Sequence, residues 1–100
     1  MMVLNLYAVM YKETKLLGNF WVSSDDKEAC SYMLGLLENS YKEIEKEEEK
    51  NTFLSHVRET ALVKVGTVDL LEHDLKSDFN ILTDLKDFKK DISIESEEMQ

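Results

Sequence analysis

The sequence predicts an α+β domain: a small antiparallel β-sheet of about four strands with one main helix packed on one face, in the order β-β-α-β-β. Three observations support this prediction. Two strand-like segments near the start are joined by a short charged link, a helical pattern follows a group of helix-start residues, and further strand-like segments come later. With 100 residues, the chain has the length of one small domain.

The first 22 residues predict a β-hairpin. Residues 3–11 are rich in β-branched, aromatic and aliphatic side chains, which fit a packed and pleated surface. The polar link at residues 12–15 is short enough for a hairpin turn. The second strand is predicted at residues 16–22, where the internal Gly18 indicates a bulge or a close approach of another backbone segment.

The middle of the chain predicts a helix that begins near Asp25. Asp25 and Glu28 have the spacing of a capping box, and acidic side chains are favoured at the positive end of a helix dipole. Apolar residues then recur at helical spacing as far as Ile44. Residues 41–50 are predicted to extend this helix, because Glu and Lys are good helix formers. Several like-charge pairs at i, i+4 leave a flexible acidic loop as the alternative.

The next segment with strand character is residues 60–69. Ala61, Val63 and Val65 alternate on one face of the predicted third strand, and Gly66 indicates a second bulge or bend.

The segments after the third strand are shorter. Residues 70–78 are predicted to be a loop or an irregular hairpin arm, residues 79–82 a fourth strand, and residues 83–88 one short helical turn. The domain is therefore assigned to residues 1–88. Residues 89–100 are predicted to be an acidic, flexible tail, and truncation after Lys89 is expected to leave the thermal midpoint nearly unchanged.

The composition of the chain argues against several classes of protein. The net charge of −9 argues against a broad electrostatic grip on nucleic acid. Cys30 is the single cysteine, which excludes an intrachain disulfide and fits a reducing compartment. No apolar run has the length of a membrane span, and the start of the chain lacks the pattern of a signal peptide.

The residues that could carry chemistry form no recognisable motif. His56 and His73 are the two histidines, and neither stands at a metal-ligand spacing from a cysteine or a second histidine. Cys30 lies in the predicted helix without a predicted base beside it, so we expect a buried or half-buried thiol. We therefore predict a non-enzyme that uses no metal and no cofactor.

The aromatic residues of the first hairpin have two interpretations. Tyr7 and Tyr11 share a face of their strand, and one helix covers only one face of a sheet, which predicts core packing or a homodimer interface at these two residues. The alternative is a site for single-stranded DNA, in which Lys12 and Lys15 contact phosphates while Tyr11 or Trp21 stacks on bases. With two or three cations, such binding is expected to be weak.

Four segments of the chain also share their order with a known family. They are L-Y-A-V-M-Y at residues 6–11, F-W-V-S-S-D-D-K-E-A at 20–29, L-V-K-V-G-T-V-D at 62–69 and F-N-I-L-T-D-L at 79–85. Together they resemble the small nonstructural protein of gokushovirus-type microviruses, which are small phages with single-stranded DNA genomes. The resemblance covers roughly residues 4–88 and depends on order and spacing rather than on any single motif.

This resemblance implies a function. Members of the family are described as DNA-binding or DNA-synthesis accessory proteins, which implies a non-enzymatic role in single-stranded DNA replication or genome packaging in the host cytoplasm. The implied partners are single-stranded DNA, viral replication proteins or viral capsid proteins. The acidic composition leaves a second interpretation open, a protein-interaction module that binds a basic host or viral protein.

Overall fold

A four-stranded antiparallel sheet with two helices makes up residues 3–90, the part of the chain described by the computed structural model. The predicted α+β class with a small sheet is confirmed. The strands lie in the order β2-β1-β3-β4. The elements are, in chain order, β1 (Val3–Tyr11), β2 (Leu17–Ser23), α1 (Asp26–Glu43), α2 (Glu47–Arg58), β3 (Thr60–Asp69), β4 (Asp74–Asp84) and a 3₁₀ turn (Leu85–Asp87).

The two central strands, β1 and β3, have the predicted bounds. The edge strand β2 begins and ends one residue later than predicted. The other edge strand, β4, is much longer than the predicted segment 79–82, because residues 74–78 pair with the end of β3. Two alternatives were predicted for this segment, a loop and a hairpin arm, and residues 74–78 form the hairpin arm. His73 closes the β3–β4 turn with a φ of 57°.

The predicted irregularities at both strand glycines are present. The β1–β2 register shifts between Tyr7 and Val9, next to Asn19, which has a φ of 51°. The β3–β4 register shifts beside Gly66, and a Cβ built at Gly66 would overlap the carbonyl oxygen of Lys76. Glycine is therefore required at residue 66 by the close approach of the neighbouring strand.

Helix α1 begins at the predicted cap. Asp25 has an extended backbone, and its Oδ1 accepts a hydrogen bond from the backbone N–H of Lys27 at 3.1 Å. The backbone N–H of Asp25 donates to Ser23 Oγ at 3.3 Å. In a capping box this hydrogen bond is accepted by the side chain three residues after the cap, so Ser23 replaces Glu28 as the acceptor that the sequence predicts.

The predicted extension of α1 through residue 50 is wrong, because α1 ends at Glu43 and a separate helix, α2, begins at Glu47. Ile44 and Lys46 both have extended backbone conformations, with ψ values of 126° and 133°, and α2 begins directly afterwards. Like-charge pairs such as Lys42–Lys46 weaken a continuous helix at this point. The break also turns the chain so that Leu54 and Val57 of α2 are buried.

Both helices pack on the same face of the sheet, which we call the helix face. The main core cluster joins strand residues to residues from both helices and from the turn after β4. Its buried members are Val9, Met33, Val57, Leu62 and Leu85. A pair of helices thus covers the face that the sequence assigned to one helix.

The contacts of the domain continue past Phe88, the last residue of the predicted domain. The Lys89 side chain is 9% exposed, and its ammonium lies 3.5 Å from Glu38 Oε1 and 5.0 Å from the centre of the Tyr41 ring. The remaining part of the predicted tail, residues 91–100, lies outside the described residues.

Candidate functional site

Tyr7, which the sequence places at a possible dimer interface, is a core residue. Its side chain is 0% exposed and lies under the start of α1. The Tyr7 hydroxyl donates to Asp26 Oδ1 at 2.6 Å and accepts from Asn5 Nδ2 at 2.9 Å. Burial, together with the hydrogen bond to the Asp26 carboxylate, raises the pKa of Tyr7 to about 12. The Tyr7 hydroxyl therefore holds α1 on the sheet and is not available to a partner.

Trp21 lies on the same covered face, directly opposite Tyr7 in β2. The two rings stack with their centres 5.7 Å apart and an angle of 26° between their planes. The indole is half-buried against the main core cluster. Tyr7 therefore occupies one face of the indole ring, and that face is not available to a base.

The turn between β1 and β2 holds the two predicted phosphate ligands. Lys15 is exposed and has a φ of 64°, and its backbone N–H donates to the carbonyl oxygen of Tyr11 at 2.8 Å. The Lys12 ammonium instead binds Asp84 Oδ1 at 2.7 Å. This hydrogen bond, followed by one from the backbone N–H of Lys86, lowers the pKa of the Asp84 carboxyl.

The four residues of the predicted DNA site are therefore not brought together. Tyr11 is 46% exposed and adjoins the turn. Trp21 pairs with Tyr7, four residues along β1 from Tyr11, which separates the two rings by about 13 Å along the strand. Only Lys15 and Tyr11 remain as neighbouring exposed groups.

The face of β1 that carries Tyr7 and Tyr11 is the helix face, which corrects the predicted orientation of the sheet. The opposite face, which we call the open face, holds a second cluster of buried residues built from strand residues alone. Its members are Ala8, Met10, Ala61 and Val63, with Val65 packed against them. Among the described residues, no side chain of α1 or α2 belongs to this cluster.

The edge strands carry exposed apolar side chains on the open face. In β2, Leu17 lies opposite Met10 and Val22 lies opposite Leu6. In β4, Ile81 lies opposite Val63, and Phe79 and Leu75 share its face by alternation. We call these five side chains the apolar patch: Leu17, Val22, Leu75, Phe79 and Ile81. Their exposed fractions run from 38% to 63%.

A groove of about 490 Å³ lies between β2 and the first turns of α1. Trp21, Ala29 and the exposed Tyr32 line it, and Glu28 stands at its margin. The buried Nε1 of Trp21 has no hydrogen-bond acceptor within the part of the chain that the structure describes. The groove is open to solvent, and Glu28 is the one charged side chain among its lining residues.

The side chains that could catalyse a reaction or bind a metal ion do not lie together in the described part of the fold. The Sγ of Cys30 lies 3.8 Å from Thr83 Oγ1, where it packs against the main core cluster. No group of three or more His, Cys, Asp and Glu side chains within residues 3–90 has the geometry to hold a metal ion. No helix in these residues has the length and apolarity needed to cross a lipid bilayer.

Sequence reasoning missed the apolar patch, although a signal for it is present. Leu75, Phe79 and Ile81 stand at odd-numbered positions of one segment, with Lys76, Asp78 and Asn80 between them. This is the alternation of a strand with one apolar face. The polar residues of the alternate positions made the segment resemble a loop.

Comparison with known protein families, curated proteins and solved structures finds no match for this chain.

Proposed function

We propose that the chain is a non-enzymatic accessory protein that acts by contacting other proteins through the open face. The observation that carries the proposal is the apolar patch on a sheet face that neither α1 nor α2 covers in residues 3–90. A contiguous apolar surface rimmed by polar residues is the usual mark of a protein-contact site. An antiparallel sheet can leave one face to water, but that face is then normally polar.

The proposed setting is the host cytoplasm during infection by a single-stranded DNA phage. It is supported by the resemblance of four ordered segments to the small nonstructural protein of gokushovirus-type microviruses. The proposed partner class is therefore the viral proteins for replication and capsid assembly, and a basic host protein is the alternative that the acidic composition favours.

Weak binding of single-stranded DNA is the second candidate function. The exposed Lys15 beside the exposed Tyr11 favours it, since an ammonium and an aromatic ring can contact a phosphate and a base together. The Lys12–Asp84 ion pair weighs against it, because Asp84 competes with phosphate for the Lys12 ammonium. The net charge of −9 also repels a polyanion.

A binding assay separates the two candidates. Fluorescence anisotropy of a labelled oligothymidine of about 20 nucleotides is measured at low salt with the wild type and with Lys15→Glu. The proposal predicts no saturable binding by either protein at tens of micromolar. Binding by the wild type that Lys15→Glu abolishes would favour the DNA function instead.

A test in infected cells addresses the open face directly. Phage genomes are compared in which this reading frame carries Ile81→Glu, on the apolar patch, or Tyr32→Glu, on α1. The two side chains are both 57% exposed and the charge change is the same, so the pair is matched. We expect Ile81→Glu to lower the progeny yield and Tyr32→Glu to leave it near the wild-type value. Equal yields from both genomes would contradict the proposal.

A further inference from the structure

We propose that the open face binds a second copy of this chain, so that two sheets pack face to face in a symmetric homodimer. The inference rests on the proposed function, in which the open face is a protein-contact surface, and it names the occupant of that face. It differs from the interface expected from the sequence, because Tyr7 lies on the helix face and is fully buried.

The surface that the open face offers to a second copy lies along its edge strands. The residues along its middle belong to the two central strands and are buried within the single chain, with Ala8 0% and Ala61 1% exposed. Large and exposed side chains, such as Phe79 and Ile81, lie along the edge strand β4. When two copies are related by a two-fold axis, the exposed side chains of the apolar patch of one copy can pack against those of the other. Sheets that pack in this way interdigitate the side chains of their facing surfaces.

The available area matches the lower limit for a stable dimer. From the exposed fractions of its five side chains, the apolar patch presents about 450 Å² per copy, or about 900 Å² in a pair. The half-buried side chains of Leu4, Leu6, Val65 and Val68 border it on the central strands. Their contribution brings the interface to about 1,200 Å², the lower bound of stable complexes.

The distribution of charge favours a second copy over a basic partner. Asp69, Asp74 and Lys76 line a groove on the helix face together with Thr67, away from the apolar patch. The register places Asp84 opposite Ala61 at the end of the open face, where the ammonium of Lys12 pairs with it. Among residues 3–90, the middle of the face thus offers no carboxylate to a basic protein, and two acidic copies can meet there without bringing these charges together.

The test is the mass of the full chain in solution, measured by light scattering and by sedimentation equilibrium from about 1 to 100 μM. The wild type should shift from the monomer mass of 11.7 kDa towards twice that mass over this range. Ile81→Glu and Leu75→Glu should stay monomeric throughout, whereas the matched Tyr32→Glu should dimerise like the wild type. Circular dichroism and thermal midpoints establish that each variant is folded, and the two patch variants lie at different positions along β4, so that the test remains if one fails to fold.

Two results would overturn the inference. One is a wild type that stays monomeric at 100 μM, and the other is a dimer that survives both patch variants. The proposed function is tested separately by binding of the fluorescent probe ANS to the monomer. If a monomeric wild type binds ANS and Ile81→Glu does not, the occupant is a different protein and the open face remains a contact surface. If neither dimerisation nor ANS binding depends on the patch, the proposed function fails as well.

Discussion

Replacing Tyr7 with Phe tests the interaction that joins the start of α1 to the sheet. The change removes a hydroxyl that donates to Asp26 at 2.6 Å and leaves the buried ring in place. A hydrogen bond to a charged group contributes about 1.5–3 kcal/mol. Because Asp26 is exposed and regains water in the variant, we expect Tyr7→Phe to lower the free energy of unfolding by about 1–2 kcal/mol at pH 7.

The effect should depend on pH in the alkaline range. The pKa of Tyr7 is raised to about 12 in the folded protein, against about 10 for an unfolded chain. Folding therefore favours the neutral phenol, and the stabilisation is fully present below pH 10 and lost as the pH rises through 12. About 1.4 kcal/mol should be lost by pH 11. The stability difference between the wild type and Tyr7→Phe should shrink by that amount between pH 9 and pH 11.

Urea unfolding at pH 7, 9 and 11 measures this difference. Tyr32→Phe serves as the control, because it removes a phenol hydroxyl from an exposed side chain of the same helix. Its difference from the wild type should stay near zero at every pH. A difference between the wild type and Tyr7→Phe that is the same at pH 9 and pH 11 would refute the buried position of the Tyr7 hydroxyl, and with it the assignment of the helix face.

Two further predictions concern the strands and their ends. Gly66→Ala should lower the free energy of unfolding by about 2–3 kcal/mol, because the added Cβ overlaps the carbonyl oxygen of Lys76. The control Gly35→Ala, where the added Cβ meets open space in α1, should instead raise it by about 1 kcal/mol, and equal effects in urea unfolding would contradict the close approach at residue 66. Asp84→Asn should lower the thermal midpoint slightly at pH 7, because the ion pair with Lys12 lowers the pKa of the Asp84 carboxyl. That contribution is present above the unfolded pKa of 3.8 and lost as the pH falls through the lower folded value, so a midpoint difference that persists in strong acid would show that the ion pair is not its cause.

The central strands could be predicted from the sequence because their signals are local. β1 and β3 combine β-branched and aliphatic residues with the period of a strand, and Gly66 marks the position where a neighbouring backbone comes close. The start of α1 was predictable for the same reason, since the cap at Asp25 is formed within four residues of chain.

Two features depend on tertiary contacts and were not predictable from local patterns. Helix propensity favours a continuous helix through residues 41–50, yet the chain breaks at Ile44 so that Leu54 and Val57 can be buried. Alternation shows that Tyr7 and Tyr11 share a face but not which face the helices cover. The helices cover the face that carries Tyr7, where the Tyr7 hydroxyl binds Asp26 of α1. This hydrogen bond joins residues of two separate elements, so no local pattern predicts it.

The apolar patch was hidden for a related reason. Leu75 and its neighbours are as polar in average composition as a loop, and only the pairing of β4 with β3 shows that the apolar side chains share one face. The arrangement of the predicted DNA site also depends on tertiary contacts, because residues that are near one another in the hairpin sequence lie in different environments. Lys12 pairs with Asp84, 72 residues away, and Trp21 packs against Tyr7.

The central claim is that the open face, and not the β1–β2 turn, is the contact surface. The most direct measurement is the methyl NMR spectrum of isoleucine-labelled protein between about 10 and 500 μM, with Ile44 at the helix break as an internal reference. We expect the Ile81 methyl signal to shift or broaden as the protein concentration rises, while the Ile44 methyl signal stays unchanged. An Ile81 signal that is independent of concentration, together with shifts of the Tyr11 and Lys15 signals on addition of single-stranded DNA in a separate amide spectrum of uniformly labelled protein, would contradict the claim.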